Sequence, residues 1–301
     1  MNLTIESLNL TNHIHGLPSF TKNNLIKEEV IVDILRLDTL HPVISGNKWF
    51  KLRSNLEQAT QLGFDSVLTC GGVHSNHLHA LAKAGQYFGF KVRALIRGYD
   101  NLPLTTTLLD CQAMGMEWEF VNKKTYLNRY EPQWCKAQAQ RFNSYWIPEG
   151  GNNELGQTGC ADIAKACIAY DEVWLSVGSG CTFKGVEQAL PETIRLKGVI
   201  AIKGGHELGE RLIKEASFPK RCEMEYDRSW GGFGRCPAEL IDLIRRYDAL
   251  GLPLDPVYTS KLVSAFESAW SEHVLDQTKK YLIIHSGGLQ GRRGIEGLES
   301  F

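Results

Sequence analysis

Three short apolar runs in this chain each end in a glycine-rich loop, and the first two loops lead straight into helical patterns. The runs are Ser66–Thr69, Glu172–Ser176 and Tyr281–His285. The loops are Cys70-Gly71-Gly72-Val73-His74-Ser75-Asn76-His77, Val177-Gly178-Ser179-Gly180-Cys181-Thr182 and Ser286-Gly287-Gly288-Leu289-Gln290-Gly291. Further strand patterns at Val30–Leu35, Val92–Ile96, Trp118–Val121 and Val199–Ile202 alternate with helical ones at His77–Phe88, Thr105–Met114, Ala238–Ala249 and from about Ser260. From Lys48 to Leu62, apolar Leu52, Leu56, Ala59 and Leu62 recur on one helix face. Such alternation predicts an α/β fold of mostly parallel twisted sheets flanked by helices. A polar stretch, Lys123–Gln133, precedes a helix to about Phe142, and the break at Ile147-Pro148-Glu149-Gly150-Gly151 is the best junction between units.

Size and charge exclude several roles. With 301 residues the chain can bury a substantial core, and 43% hydrophobic with 22% charged residues are proportions of a soluble globular protein. A net charge of -1 gives no electrostatic attraction to nucleic acid or an anionic membrane. No apolar stretch is long enough to span a bilayer, and Met1–Ser7 does not read as a signal peptide. The eight cysteines are scattered without a Cys-x-x-Cys pair, so the expectation is free thiols in a reducing cytoplasm rather than zinc or disulfides.

The residues with chemical potential cluster at the loops. Lys48 follows the turn Ser45-Gly46-Asn47 and opens a helix. A lysine becomes a nucleophile when desolvation or a neighbouring cation lowers its pKa. Lys51, one turn on, competes for that role, and a solvated lysine at a helix start is the plain alternative. Ser75 and Asn76 can cap the next helix and leave backbone N–H groups facing an anion. The loop Gly178–Thr182 offers converging N–H groups and hydroxyls, which a phosphate monoester needs, and it fits neither a mononucleotide nor a complete dinucleotide motif. His74, His77 and His79 lack a carboxylate or cysteine at ligand spacing, so no metal site is expected. Tyr258 and Thr259 sit on a proline-containing turn before a helix, where a tyrosine could stack on a ring, donate a proton or simply pack in the core. A lysine amine with phosphate-binding loops suggests a Schiff-base lysine serving pyridoxal phosphate.

In this order, the pieces resemble the pyridoxal-phosphate enzymes of the tryptophan-synthase-β fold type, and within them the 1-aminocyclopropane-1-carboxylate deaminase / D-cysteine desulfhydrase family. The resemblance runs from about Arg36 to Gly291 and includes Ser45–Lys48, Gly71–His77, Ile147–Gly156, Gly178–Thr182, Leu254–Thr259 and His285–Gly291. It implies that Lys48, rather than Lys51, carries the Schiff base and acts as the α-proton base. It further implies Asn76 on the cofactor's phenolic oxygen, Ser75 with Asn76 and His77 on the substrate carboxylate, and Gly178, Ser179, Gly180, Cys181 and Thr182 on the phosphate. Tyr258 would lie against the ring, with Thr259 and Ser286 near the pyridine nitrogen, and Lys48, Ser75 and Tyr258 would form the catalytic set. A large domain (1–49 with 150–301), a small domain (50–149), a small amino-acid substrate and a homodimer are implied with them. Two departures bear on the reaction. Members that open the cyclopropane ring usually carry a carboxylate where this chain has Thr259, and a leucine where it has Ser286. A hydroxyl supports a weaker electron sink, so β-elimination as in D-cysteine desulfhydrase is expected ahead of ring opening, with non-catalytic cofactor binding as a further alternative. The other departure is Arg36-Leu37-Asp38, where a Lys-Arg-Glu/Asp-Asp run is more usual.

Overall fold

The computed structural model describes residues 9–17, 31–99, 101, 103–226, 228–232 and 234–298. Its strands are β1 (Ile14–Gly16), β2 (Val32–Arg36), β3 (Ser66–Gly72), β4 (Lys91–Arg97), β5 (Glu117–Val121), β6 (Tyr145–Trp146), β7 (Glu172–Val177), β8 (Arg195–Ile200), β9 (Cys222–Glu225) and β10 (Tyr281–His285). The helices are α1 (Asn47–Gln61), α2 (Asn76–Phe88), α3 (Thr106–Ala113), α4 (Lys123–Leu127), α5 (Pro132–Arg141), α6 (Glu154–Ala161), α7 (Cys181–Ala189), α8 (His206–Lys214), α9 (Ala238–Ala249) and α10 (Thr259–Ser271). One sheet has the order β1-β2-β10-β7-β8-β9 and the other β5-β4-β3-β6. Among the described residues only β1 on β2 is antiparallel; every other pairing is parallel.

The interior strands read as unbroken apolar runs because helices cover both of their faces. In β7, Val173, Leu175 and Val177 face one core while Trp174 faces another; in β10, Leu282 and Ile284 oppose Tyr281 and Ile283 in the same way. The first core runs on through Phe50 and Leu52 of α1 to Val67 of β3 and Leu81 of α2, so one apolar body joins the two sheets. Among the described residues no helix is long and apolar enough to cross a membrane. All eight cysteines are free thiols.

Several expected boundaries move for physical reasons. Val30 and Met1–Ser7 lie outside the described residues, and the strand expected at Val30–Leu35 is seen as Val32–Arg36. Leu62 does not share the buried face of Leu52, Leu56 and Ala59: α1 ends at Gln61 and Leu62 is 58% exposed. Gly71 and Gly72 do not form a loop. They continue β3 against Ile96 and Arg97 of β4, which shortens the turn before α2 to Val73–Ser75. The strand expected at Val199–Ile202 begins earlier, at Arg195, because Lys197 and Gly198 interrupt its apolar signal. The polar stretch after Asn122 holds α4, capped by the Asn122 side chain on the Thr125 N–H.

Candidate active site

The lysine turn, the first two loops and the Ser286 loop meet beyond the C-terminal ends of β3, β7 and β10, the edge where parallel α/β sheets place ligands. Backbone packing sets the turn. Gly46 has φ +69, and a methyl group there would overlap the Ser286 carbonyl and stand 2.7 Å from the Gly287 Cα. Its own N–H donates to the Leu37 carbonyl at 3.0 Å, and the Asn47 N–H donates to the Ser286 carbonyl at 3.2 Å. Asn47 then bridges outward, its amide donating to the Thr182 hydroxyl at 2.9 Å while its Oδ1 accepts from Lys48 Nζ at 2.6 Å.

Lys48 is half-buried, with its Nζ 5.8 Å from the centre of the Tyr258 ring. Desolvation, and then the positive charge of Lys51, bring its pKa from 10.5 down to about 7. The consequence can be measured on cofactor-free protein. Below pH 7 the folded chain holds Lys48 charged. Between 7 and 10.5 only the unfolded chain binds that proton, so this residue's contribution to stability rises with pH across the window and is lost as pH falls through 7. The free-amine fraction follows the same limb. Capture of pyridoxal phosphate, followed by stopped-flow absorbance, is expected to quicken by up to about tenfold per pH unit below 7 and to level off above it. A flat rate from about pH 6 to 8 would show that Lys48 is not the titrating nucleophile.

The other members converge on Lys48. The Tyr258 ring lies where a Gly178 side chain would be, 2.9 Å from a Cβ built there, so only glycine lets the phosphate loop and the ring share that space. Burial pushes the Tyr258 phenol well above its ordinary pKa and keeps it protonated. Asp255 holds this turn by accepting from the N–H groups of Val257, Tyr258 and Thr259 at 3.0, 2.8 and 2.7 Å. Thr259 Oγ1 sits 3.4 Å from His285 Nδ1, and Ser286 Oγ lies 3.5 Å from Ser176 Oγ. His285 Nδ1 accepts from the Gly287 N–H at 3.1 Å, which makes Nε2 the protonated nitrogen facing the Pro253 carbonyl at 2.9 Å.

On the α2 side, the Ser75 hydroxyl caps the helix by accepting from the Leu78 N–H at 3.3 Å. Asn76 Oδ1 accepts from Gln290 at 2.6 Å, and its Nδ2 lies 2.5 Å from where a Gly288 Cβ would be. His77 is 2% exposed, with Nε2 2.9 Å from the Thr69 hydroxyl and Nδ1 without a partner among the described residues. Burial and the nearby charges of Lys48 and Lys51 lower its pKa to about 3, so the ring is neutral at physiological pH. His79 turns away to Asp110 at 3.0 Å. Among the described residues no group of three or more His, Cys, Asp or Glu could hold a metal ion.

Gly178–Thr182 forms a cradle at the N-terminus of α7. Gly180 has φ +84, a left-handed turn that aims successive N–H groups at one point. The cradle is braced by the Asn152 amide on the Ser179 carbonyl at 3.1 Å and by the Cys181 thiol on the Gly151 carbonyl at 3.4 Å. Lys51, buried against Gly151, adds positive charge on this side; with Lys48 and Lys184 it lowers the pKa of the Cys181 thiol, after the larger effect of the Cys160 hydrogen bond. Donors and cations thus gather at one end, an uncharged ring at the middle and hydroxyls at the other end. The arrangement suits a phosphorylated aromatic aldehyde: an anion at Gly180, a ring against Tyr258 and a carbonyl carbon at Lys48. The unpartnered His77 Nδ1 is available to an added polar group.

Asn47, Asp255, His285 and Gln290 were absent from the sequence-derived set. Asp255 had a local signal, an Asp-Pro pair before a helix that favours an Asx turn. Gln290 had none, since its partner Asn76 lies 214 residues away.

Known proteins resemble this chain in sequence and fold. No family model matches the chain. A Pyrococcus horikoshii protein provisionally named 1-aminocyclopropane-1-carboxylate deaminase is 31% identical over 288 residues, covering 88% of this chain and 87% of the relative. A Thermotoga maritima protein of the same provisional name is 29% identical, over 86% and 88% of the two chains. A crystal structure described as an ACC deaminase homologue superposes with a TM-score of 0.78 at 27% identity, over 92% of this chain and 89% of that one.

Proposed function

Because the chain belongs to the 1-aminocyclopropane-1-carboxylate deaminase family of pyridoxal-phosphate enzymes, we propose that it removes the α-proton of a small amino acid and expels its β-substituent, most like a D-cysteine desulfhydrase. One observation carries this choice over ring opening. The end of the site assigned to the pyridine nitrogen presents the hydroxyls of Thr259 and Ser286, while the neighbouring Asp255 carboxylate is spent on three backbone N–H groups. A hydroxyl leaves the ring a weaker electron sink than a carboxylate would, which suffices for losing an α-proton and a good leaving group.

When bound, pyridoxal phosphate supplies an aldehyde carbon that exchanges amines and a ring that withdraws electrons from the substrate Cα. The chain's residues do the rest. N–H groups of Gly178–Thr182 and the charge of Lys51 would hold the phosphate, Tyr258 would back the ring and Asn76 would hydrogen-bond the phenolic oxygen. Ser75, Asn76 and His77, at the N-terminus of α2, hold the substrate carboxylate. Lys48 Nζ, whose pKa of about 7 keeps a large share of it as the free amine at neutral pH, takes the proton from Cα, and the sulfur leaves as thiolate. The released enamine hydrolyses to pyruvate and ammonia. The family resemblance also supports a homodimer, with residues 50–149 as the small domain between the two parts of the large one, and the free thiols favour a reducing cytoplasm.

The deciding experiment supplies D-cysteine and 1-aminocyclopropane-1-carboxylate separately to the cofactor-loaded protein. Pyruvate with sulfide from the first, and no 2-oxobutyrate from the second, is the expected result. The relatives' names favour the reverse. 2-Oxobutyrate as the main product would replace the desulfhydrase reading with the deaminase one.

A further inference from the structure

Lys261, in the first turn of α10, is 0% exposed. Its Nζ donates to three backbone carbonyls, those of Ala201 at 3.1 Å, Ser229 at 2.8 Å and Gly232 at 3.0 Å. All three N–H bonds of the ammonium are therefore used, and among the described residues no carboxylate is an acceptor. The carbonyls come from irregular backbone: Ala201 follows β8, and Ser229 and Gly232 belong to the segment between β9 and α9. Trp230, between the latter two, has φ +51, so that segment is curled around the charge. Carbonyl dipoles converging on a dehydrated single positive charge are the ligand set that potassium and ammonium ions take from proteins. The pKa of Lys261 is lowered only to about 8, chiefly by burial and against the pull of Asp255, so the group is charged at neutral pH.

We infer that Lys261 is a tethered monovalent cation: its ammonium fills a carbonyl cage that would otherwise take a potassium or ammonium ion, and frees the protein from needing either. The cage fastens the 229–232 segment and the end of β8 to the first turn of α10. That turn begins at Tyr258 and Thr259, so the clamp also fixes the ring-backing side of the site. The inference does not rest on the proposed reaction, since it is read from stability alone.

The test measures melting of wild type, Lys261→Ala and Lys261→Met in ammonium, potassium, sodium, lithium and tetramethylammonium chlorides at equal ionic strength. Wild type is expected to melt at one temperature in all of them. Lys261→Ala is expected to melt lower, and to regain roughly 3 °C, saturably, in ammonium or potassium at about ten times the dissociation constant. Lys261→Met, with the cage blocked by a thioether chain, is expected to melt low in every salt. An ion-selective gain in wild type or in Lys261→Met, or none in Lys261→Ala, would overturn the inference. Should Lys261→Ala be insoluble, it is refolded from urea in each chloride. Recovery confined to ammonium or potassium supports the cage, and recovery that ignores the cation refutes it.

Discussion

Lys48→Ala is expected to abolish the near-violet absorbance of the cofactor-loaded protein and to lower turnover by roughly 10³-fold or more, since it removes nucleophile and proton acceptor together. Two lysines are candidates, one turn apart on α1, and geometry separates them. Lys48 Nζ stands over the Tyr258 ring, beside Asn47, with its pKa brought to about 7. Lys51 is buried against Gly151 and near the Cys181 thiol, where its charge is placed to attract an anion. Lys51→Ala is therefore expected to keep the absorbance band and to weaken retention of the cofactor. Borohydride reduction of the loaded protein, followed by peptide mapping, should place the reduced adduct on the Lys48 peptide. A band that survives Lys48→Ala, or an adduct on the Lys51 peptide, would reverse the two roles.

The α/β class and most element positions could be read because they depend on local pattern. Buried parallel strands announce themselves as apolar runs, and Ser75 announces the start of α2 as a helix cap. Elements whose formation depends on distant partners were silent. The two-residue β6 exists because Tyr145 and Trp146 pair with Val67 and Leu68, and β9 because Cys222–Glu225 pairs with β8. Helix α6 packs between α1 and α7: a methyl at Gly159 would overlap the Phe50 carbonyl of α1, and one at Gly185 of α7 would overlap the Gln157 carbonyl of α6. The site follows the same division. Lys48, Gly178–Thr182 and Tyr258 sit on turns whose chemistry is local. Asn47, His285 and Gln290 matter through bonds to Thr182, Thr259 and Asn76, which lie 135, 26 and 214 residues away. Gly71 and Gly72 show the opposite error, because β4 pairs with them and draws an apparent loop into a strand.

Gly46→Ala should be the most damaging change that leaves every reactive group in place. Gly46 adopts φ +69 and ψ -148, a region open essentially to glycine, and an alanine held there costs about 1–3 kcal/mol before any contact is counted. The contact then adds more, since the methyl would overlap the Ser286 carbonyl and approach the Gly287 Cα to 2.7 Å. Both neighbours are backbone, so neither can swing aside as a flexible side chain would. Relief requires the lysine turn and the Ser286 loop to part, which breaks the Asn47 N–H bond to the Ser286 carbonyl and moves Lys48 away from Tyr258. A melting drop of roughly 6 °C or more, together with loss of cofactor capture, is the expected result. Gly63→Ala supplies the control, for it shares a positive φ of +76 but has nothing within 4 Å of the added methyl. It should show the backbone strain alone, a drop of roughly 2–6 °C, with the near-violet band intact. Equal drops in the two variants, with capture unchanged in both, would mean that the seam between the lysine turn and the Ser286 loop does not hold the site together.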